Sequence, residues 1–438
     1  MRILLIGNGA REHIIAKKLK DSPQNVELFC FASSHNPGIM DLSTDYNIGE
    51  ASNEKILSYA KENNIDFVFI GPEAPLAIGL VDDLEKDGIK SVGPYMELAQ
   101  LETSKSFARN LFKEYNIPVN PEFMIFETME GVEEWILHLE ENFVIKPDGL
   151  TGGKGVCVVG DHFQNMNEGI AIIRNLIEQG KKVIIEEKLI GQEFSLMSLS
   201  DGEHLVHLPC AQDNKRAYTG DKGPNTGGMG SYSFTDFSMP FISNNELKEA
   251  QDINLQVMGA LKAKTNKPYR GILYGNFMIT RKGLRIIEYN ARLGDPEAMN
   301  VLSVFKSDFV EACLGIIEGN LNEKKVEFEN KATVCKYAVP QGYPEDPIKN
   351  ETINIDSIDL SKVDIYYAAV DQREGGLYLT GSRAVAIVAK HEDIYKAEKL
   401  VEEEINKIIG PVIHREDIGT KELIDRRVEL MNKLKNNI

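Results

Sequence analysis

Hydrophobic positions along the chain follow two periods, and they alternate in blocks. Short apolar runs at Arg2–Ile6, Glu27–Ala32, Asp66–Ile70 and Ile89–Val92 read as strands. Between them, apolar residues recur with helical spacing near Glu12–Lys20, Asn53–Asn63 and Leu76–Asp87. Strand and helix in strict alternation is the signature of a parallel α/β sheet. Gly71-Pro72-Glu73 and Gly93-Pro94 follow strands directly, at the carboxyl edge where open sheets of this kind bind ligands.

The segment Leu98–Tyr115 reads as one helix, broken at Asn116–Pro121 before a second α/β unit. In that unit Phe123–Phe126, Phe143–Lys146, Val156–Val159 and Lys182–Glu187 read as strands, separated by helical patterns at Met129–Glu141 and Asn165–Gln179. A longer α+β region follows, with strands near Phe194–Ser200, His204–Cys210, Ile272–Ile279 and Leu284–Tyr289. Its helices lie near Asn244–Ala263 and Asp308–Glu318. After the polar stretch Gly319–Lys331, a smaller α+β unit closes the chain. The chain shows neither a tandem repeat nor a low-complexity tract.

At 438 residues the chain suggests roughly two to four domains, with ample surface to bury. With 49 Lys and Arg against 67 Asp and Glu, the formal charge is −18. That balance argues against a general nucleic-acid or membrane-surface binder, which needs a basic face. An anionic small substrate stays compatible with it if a local basic pocket and a metal offset the global field. Five cysteines, Cys30, Cys157, Cys210, Cys313 and Cys335, show no metal-ligand or redox spacing and are expected as reduced, mostly buried thiols. The apolar run Ile3–Ile6 is a strand rather than a signal peptide, and no stretch approaches the span of a bilayer, so a cytoplasmic protein is expected.

Against this background five segments carry chemistry. In Ile286–Glu297, Glu288 and Asn290 sit two apart on a strand, so their oxygens can meet one hard cation. Arg292, in the turn that follows with Asp295 and Glu297, is placed to hold an anion. Taken alone, Glu-x-Asn is most often an edge-strand acid beside a surface salt-bridge cluster; the other segments change its weight. Gly7–His13 follows the first strand and opens a helix, so its backbone can receive a phosphate. It lacks the third glycine of a dinucleotide fingerprint, and the second strand ends without the ribose-binding acid, which disfavours NAD.

The Gly-rich stretch Leu150–Gly155 lies between two strands, with Lys146 on the first of them and Lys154 within the loop. Backbone amides there can approach a polyphosphate, although the string is not a Walker A loop. Ile184–Glu193 is a strand ending in Glu186 and Glu187, with Glu193 beyond it. Such an end offers backbone to adenine and a carboxylate to ribose hydroxyls. Gln212–Gly230 is long, rich in glycine and dense in Asp213, Lys215, Arg216 and Asn225, which favours a binding loop over a linker.

In this order the motifs resemble those of the ATP-grasp ligases and, within them, the phosphoribosylamine-glycine ligase (glycinamide ribonucleotide synthetase) family of purine biosynthesis. The strings that carry the likeness are Gly-Asn-Gly-x-Arg-Glu-His from Gly7, Gly-Pro-Glu-x-Pro from Gly71, Ser104-Lys-Ser106 and Lys146 to Gly155. They continue with Gly-Pro-Asn-Thr-Gly-Gly-Met-Gly from Gly223 and Arg-Leu-Gly-Asp-Pro-Glu from Arg292. The resemblance covers essentially the whole chain. It implies a Rossmann-like N-terminal domain at 1–103, a two-part ATP-grasp domain at 104–330 with a lid at about 122–190, and a small C-terminal α+β domain at 331–438.

It also implies a reaction: ATP, glycine and 5-phosphoribosylamine give glycinamide ribonucleotide, ADP and phosphate through glycyl phosphate. On that reading Lys105, Lys146 and Lys154, with Gly152, Gly153 and Gly155, hold the phosphates. Glu186, Glu187 and the Leu189 backbone meet adenine, and Glu193 meets ribose. Glu288, Asn290 and Asn276 ligate Mg²⁺ or Mn²⁺. Arg292 and Lys154 stabilise the transferring group, and Asp295 orients glycine's ammonium. Gly9, Arg11 and Glu73 face the phosphoribosylamine, while Asp213, Lys215, Arg216 and Asn225 complete the substrate contacts.

The expected partners are small molecules only, with the chain a monomer or weak homodimer. The sequence departs from the family's pattern at Ser34–Gly38, at Thr151-Gly152, at Asn214 where His is usual, and at Ser382 within a usual Gly-Gly-Arg. Two other readings remain at this point: a different ATP-grasp enzyme of purine metabolism, and an ATP-binding protein that has kept the fold and lost catalysis.

Overall fold

A computed structural model describes residues 1–152 and 155–436. The N-terminal strands form a five-stranded parallel sheet in the order Asp45–Ile48, Glu27–Ala32, Arg2–Ile6, Phe67–Ile70, Lys90–Val92. Strand order reverses at Arg2–Ile6, so the turn that follows it opens into the crevice such a switch point creates. The edge strand Asp45–Ile48 escapes the apolar pattern because it is short and half exposed, reading Asp-Tyr-Asn-Ile.

Two expected helices are each divided. Leu76–Asp87 resolves into Glu73–Ala77 and Leu80–Lys86, with Gly79 in the left-handed region between them. Leu98–Tyr115 resolves into Met96–Thr103 and Lys105–Glu114. Ser104 makes the break: its backbone is extended and its hydroxyl accepts from the Phe107 N–H, so it caps the second helix instead of continuing the first.

Residues 123–187 form an antiparallel four-stranded sheet, ordered Phe123–Phe126, Val183–Glu187, Phe143–Pro147, Cys157–Val158, packed on helices Val132–His138 and Met166–Glu178. This unit has its own core around Ile136, Phe143, Ile145, Ile173 and Val183, separate from the main core. A second antiparallel sheet runs Leu205–His207, Gly191–Asp201, Arg270–Thr280, Gly283–Asn290.

The glycine-rich segment is more structured than a plain loop. Arg216–Tyr218 and Lys222–Asn225 pair as a hairpin, while Gln212–Asp213 and Gly230–Ser233 join the C-terminal sheet beside Ala332–Pro340, Val385–His391 and Asp364–Tyr367. The binding segment and the terminal unit therefore share one sheet. All five cysteines are free, and only Cys157 is not buried. Among the described residues no helix is long and apolar enough to cross a membrane.

Candidate functional site

A cavity of about 450 Å³ lies between the 123–187 sheet, the strand Gly283–Asn290 and the glycine-rich segment. A β-bulge shapes its floor. Asn276 pairs with Glu288 and Phe277 with Ile286, so Ile287 is left out of the ladder. Its freed carbonyl accepts from Lys146 Nζ at 3.2 Å and from Arg109 Nη2 at 2.8 Å. Beyond the bulge Glu288 and Asn290 face the cavity together, as their spacing predicts.

Charge in this cavity is shared among buried groups. The Arg109 guanidinium grips Glu186 through Nε at 2.6 Å and Nη2 at 3.0 Å, and Lys146 Nζ lies 2.7 Å from the same carboxylate. Burial pushes the Glu186 carboxyl up, but its two cations win and hold it at about 2. Lys146 moves the other way. Burial lowers its pKa and Arg109 adds to that, and half a share in one carboxylate does not compensate.

Glu288 is likewise pushed up by burial, yet Lys215, Lys146, Lys105 and Arg292 together bring it below the ordinary value. Lys215 is raised: burial opposes its charge, but Glu193 at 3.0 Å, Glu288 and Asp213 overcome it. Asp213 goes well above the carboxylate range, because burial and the neighbouring Glu297 both disfavour its anion.

Arg292 is bracketed by Glu73 at 3.4 Å and Glu102 at 3.1 Å, and its Nη2 also donates to Asn290 Oδ1 at 3.2 Å. The base of the Gly-rich loop is tied to the Ser104 helix start. Asp148 accepts from the Ser104 and Ser106 hydroxyls and the Ser106 N–H, and Lys105 Nζ donates to Gly149 O at 2.8 Å. Two motifs far apart in sequence thus interlock as one device.

A second cavity, about 500 Å³, opens between the first sheet and the terminal unit, with Asn8, Gly9, Ser33 and Ser34 on one wall and Ala368–Asp371 and Ser382 on the other. The walls are pinned by Tyr367, whose N–H donates to His13 Nδ1 at 3.0 Å and whose carbonyl accepts from Asn36 Nδ2 at 2.7 Å. Gly38 is required here, since a Cβ would stand 2.0 Å from the His13 ring. Asn36 also caps the short helix Pro37–Leu42, which gives the Ser34–Gly38 departure a structural role.

Two residues line both cavities, Asp295 and Arg383. Arg383 Nη2 donates to Asp295 Oδ2 at 2.8 Å, its Nη1 to Gly227 O at 2.7 Å and Gly228 O at 3.1 Å, and it stacks on Tyr337 at 4.5 Å. Gly228 has φ +108°, and a Cβ there would meet Pro296 at 2.5 Å and Asp213 at 2.7 Å. The low-propensity glycine string is thereby explained as backbone pressed against the Arg292 turn.

Of the residues singled out by sequence, Arg11, Glu73, Lys105, Lys146, Gly152, Glu186, Asp213, Lys215, Asn225, Glu288, Asn290, Arg292 and Asp295 share the first cavity. Gly9 lies in the second, apart from Arg11 and Glu73, which were expected to face the phosphoribosylamine beside it and instead line the first. Gly155, Leu189, Glu193 and Asn276 are not in the wall, although Glu193 and Asn276 bond each other at 3.4 Å behind Lys215. Two expectations need correction. Arg216 does not face the cavity: it pairs with Asp161 at 2.6 Å across to the 123–187 unit. Glu187 is drawn off to Lys282 at 2.8 Å and the Glu122 N–H. Asp295 is held on both oxygens, Oδ1 accepting from Tyr337 and Oδ2 from Arg383, with a second lone pair left on each. Gly153 and Lys154 lie outside the described residues.

Sequence reasoning missed Arg109, Glu102, Tyr274 and Arg383, and gave Glu297 no role. Arg109 had a signal: it follows Lys105 by one helical turn and shares its face. Glu297 is buried and accepts from Ser195 Oγ at 2.9 Å and from the Tyr274 hydroxyl. The Asn214 departure is structural, its Oδ1 accepting from Arg427 Nη2 at 2.7 Å.

Among the described residues no three His, Cys, Asp or Glu side chains cluster to hold a metal unaided. Glu288, held ionised, with the amides of Asn290 and Asn276 is an all-oxygen donor set, which suits a hard divalent cation that completes its shell with other oxygens.

Three segments match the domains of one family, phosphoribosylglycinamide synthetase: the N domain at residues 1–102, the ATP-grasp (A) domain at 103–298 and the C domain at 333–421. The phosphoribosylamine–glycine ligase of Methanococcus vannielii is 46% identical, over 99% of this chain and 100% of that one. That of Methanobrevibacter smithii is also 46% identical, over 100% of both. The crystal structure of the Thermotoga maritima phosphoribosylamine–glycine ligase is similar with a TM-score of 0.81 and 29% identity, covering 95% of this chain and 100% of that one. The biotin carboxylase domain of Hydrogenobacter thermophilus 2-oxoglutarate carboxylase, in complex with MgADP, shares the fold alone: TM-score 0.73, 13% identity, 99% of this chain and 98% of that one.

Proposed function

The chain belongs to the phosphoribosylglycinamide synthetase family, and on that premise we propose how its two cavities divide the reaction. The activity is that of a purine-biosynthetic ATP-grasp ligase, joining glycine to 5-phosphoribosylamine with ATP to give glycinamide ribonucleotide, ADP and phosphate. ATP and glycine occupy the first cavity and the ribosylamine the second. The observation that carries this division is that the cavities meet at Asp295 and Arg383, so an acyl phosphate formed in one faces an amine held in the other.

In the first cavity Lys105 and Lys146 neutralise the phosphates, and Lys154, outside the described residues, is assigned the same task by its place in the Gly-rich string. The lowered pKa of Lys146 supports this, since arriving phosphate charge restores the anion it lacks. Glu186 holds the site's shape through Arg109, and adenine is met by backbone near Glu187 and Leu189, with Glu193 at the ribose. Glu288, Asn290 and Asn276 hold Mg²⁺ or Mn²⁺, which when bound neutralises charge on the transferring phosphoryl group. Arg292, held in place by Glu73 and Glu102, stabilises the same charge and glycine's carboxylate as glycyl phosphate forms. Asp213 and Glu297 receive glycine's ammonium: burial first and Glu297 second push Asp213 up, and a cation beside the two carboxylates offsets both.

In the second cavity the backbone at Asn8 and Gly9 receives the ribosyl phosphate. The independent core of residues 123–187 supports closure of a lid at about 122–190 over ATP, which keeps water from the acyl phosphate. The domains divide at 1–103, 104–330 and 331–438, and the chain works in the cytoplasm as a monomer or weak homodimer. The test is coupled ADP release. It is expected only with both glycine and phosphoribosylamine present, and ADP release independent of either substrate would overturn the reading.

A further inference from the structure

We propose that Asp295 is the proton acceptor of the second half-reaction. The inference rests on the division of substrates just given. When the ribosylamine nitrogen adds to the glycyl carbonyl carbon, the carbon–oxygen bond to phosphate breaks and its electron pair leaves with phosphate. The nitrogen must then shed one proton, and it becomes far more acidic as the new bond forms. A modestly basic carboxylate is therefore sufficient if it lies where the two substrates meet.

Among the described residues only Asp295 and Arg383 line both cavities, and of these only Asp295 can accept a proton. Glu73, Glu102, Glu186, Asp213, Glu288 and Glu297 line the nucleotide cavity alone. His35 and Asp371 line the ribosyl cavity alone, and they face each other at 3.7 Å. The Asp295 side chain is 19% exposed, and that exposure opens onto the cavities.

The rest of Asp295 is immobilised. Tyr337 OH donates to Oδ1 at 2.6 Å and Arg383 Nη2 to Oδ2 at 2.8 Å, each leaving a second lone pair on its oxygen. Arg383 is in turn fixed by the Gly227, Gly228 and Asp295 carbonyls and cannot follow the substrate. Asp295 thus takes the proton from nitrogen and passes it to departing phosphate or to solvent. Tyr337 and Arg383 are positioning residues.

The test separates the two halves of the reaction. Hydroxylamine intercepts an acyl phosphate without needing a base, giving glycyl hydroxamate and phosphate, so it reads the first half alone. Asp295→Asn is expected to lower glycinamide ribonucleotide formation on the order of 100-fold, the usual scale of a lost general base. Hydroxamate formation from ATP, glycine and hydroxylamine should fall by less than about threefold, within the scatter of a group that takes no part in that step.

Equal loss of both products would place Asp295 in the first step and overturn the proposal, as would unchanged ribonucleotide formation. A wild-type enzyme that makes neither product would instead overturn the division of cavities. Melting curves accompany each assay. If the amide variant unfolds early, Asp295→Glu keeps the charge while displacing it, and must show the same selective loss.

Discussion

Glu186 is the only carboxylate within salt-bridge distance of Arg109 and Lys146 among the described residues, and replacing it with Gln should be costly in a calculable way. Its carboxyl falls from 4.5 to about 2 on folding, a difference worth about 3 kcal/mol at neutral pH. The sign follows from the lowered value. This stability is complete above the unfolded pKa of 4.5 and is lost as pH falls toward 2. Breaking a buried pair by removing one partner costs roughly 3–5 kcal/mol, because the other charge stays buried without compensation. Both routes agree on about 3 kcal/mol or more. For a cooperative unit of roughly 150–250 residues, each kcal/mol moves the melting temperature by about 2–4 °C, so Glu186→Gln should melt about 6–12 °C lower. Calorimetry at neutral pH reads this directly. The double variant Arg109→Met with Glu186→Gln removes one of the stranded cations and should recover about half of the loss. A single variant melting within about 2 °C of wild type, or a double variant less stable than the single, would refute the reasoning.

Three further outcomes are expected. Glu288→Ala should cut metal-dependent ADP release on the order of 100-fold while circular dichroism stays unchanged, and retained turnover would mean the cation is held elsewhere. His13 is buried neutral at about 3, by burial first and Lys17 second, with Nδ1 accepting from Tyr367. The unfolded chain binds a proton below 6.5 that the native state refuses, so this group costs about 2 kcal/mol near pH 5. His13→Asn should therefore lose less melting temperature than wild type between about pH 7 and pH 5, and an identical slope would sink the assignment. Limited proteolysis within residues 122–190 should slow when ATP is added, and Asp161→Asn, which removes the Arg216 pair from the lid, should weaken that protection. Equal cleavage with and without ATP would count against closure.

The alternation of the first hundred residues carried the parallel sheet, because its inner strands are buried on both faces and must be apolar throughout. The edge strand Asp45–Ile48 was hidden for the same reason, having no buried face to mark it. Both divided helices were misread through short-range continuity. Apolar spacing runs across Ser104 and Gly79, and only the cap hydroxyl and the left-handed backbone interrupt it. Part of the candidate site was legible as a gathering of residue types: Glu288 with Asn290, Lys105, Lys146 and Lys215 do line one cavity, and the glycine strings were costly enough to need a purpose.

What the sequence by itself determined is which chemical groups are present and which near neighbours share a face, since periods of two and 3.6 residues are properties of the local backbone. It could not determine how those groups share charge. Arg109 reaches Glu186 across 77 positions, and Arg383 reaches Asp295 across 88. Whether a carboxylate is free, paired or pushed neutral depends on its burial and on every charge that folding brings beside it. The tertiary structure alone decided that Glu186 serves Arg109, that Arg216 turns to Asp161 in the 123–187 unit, and that Asp295 stands where two cavities meet.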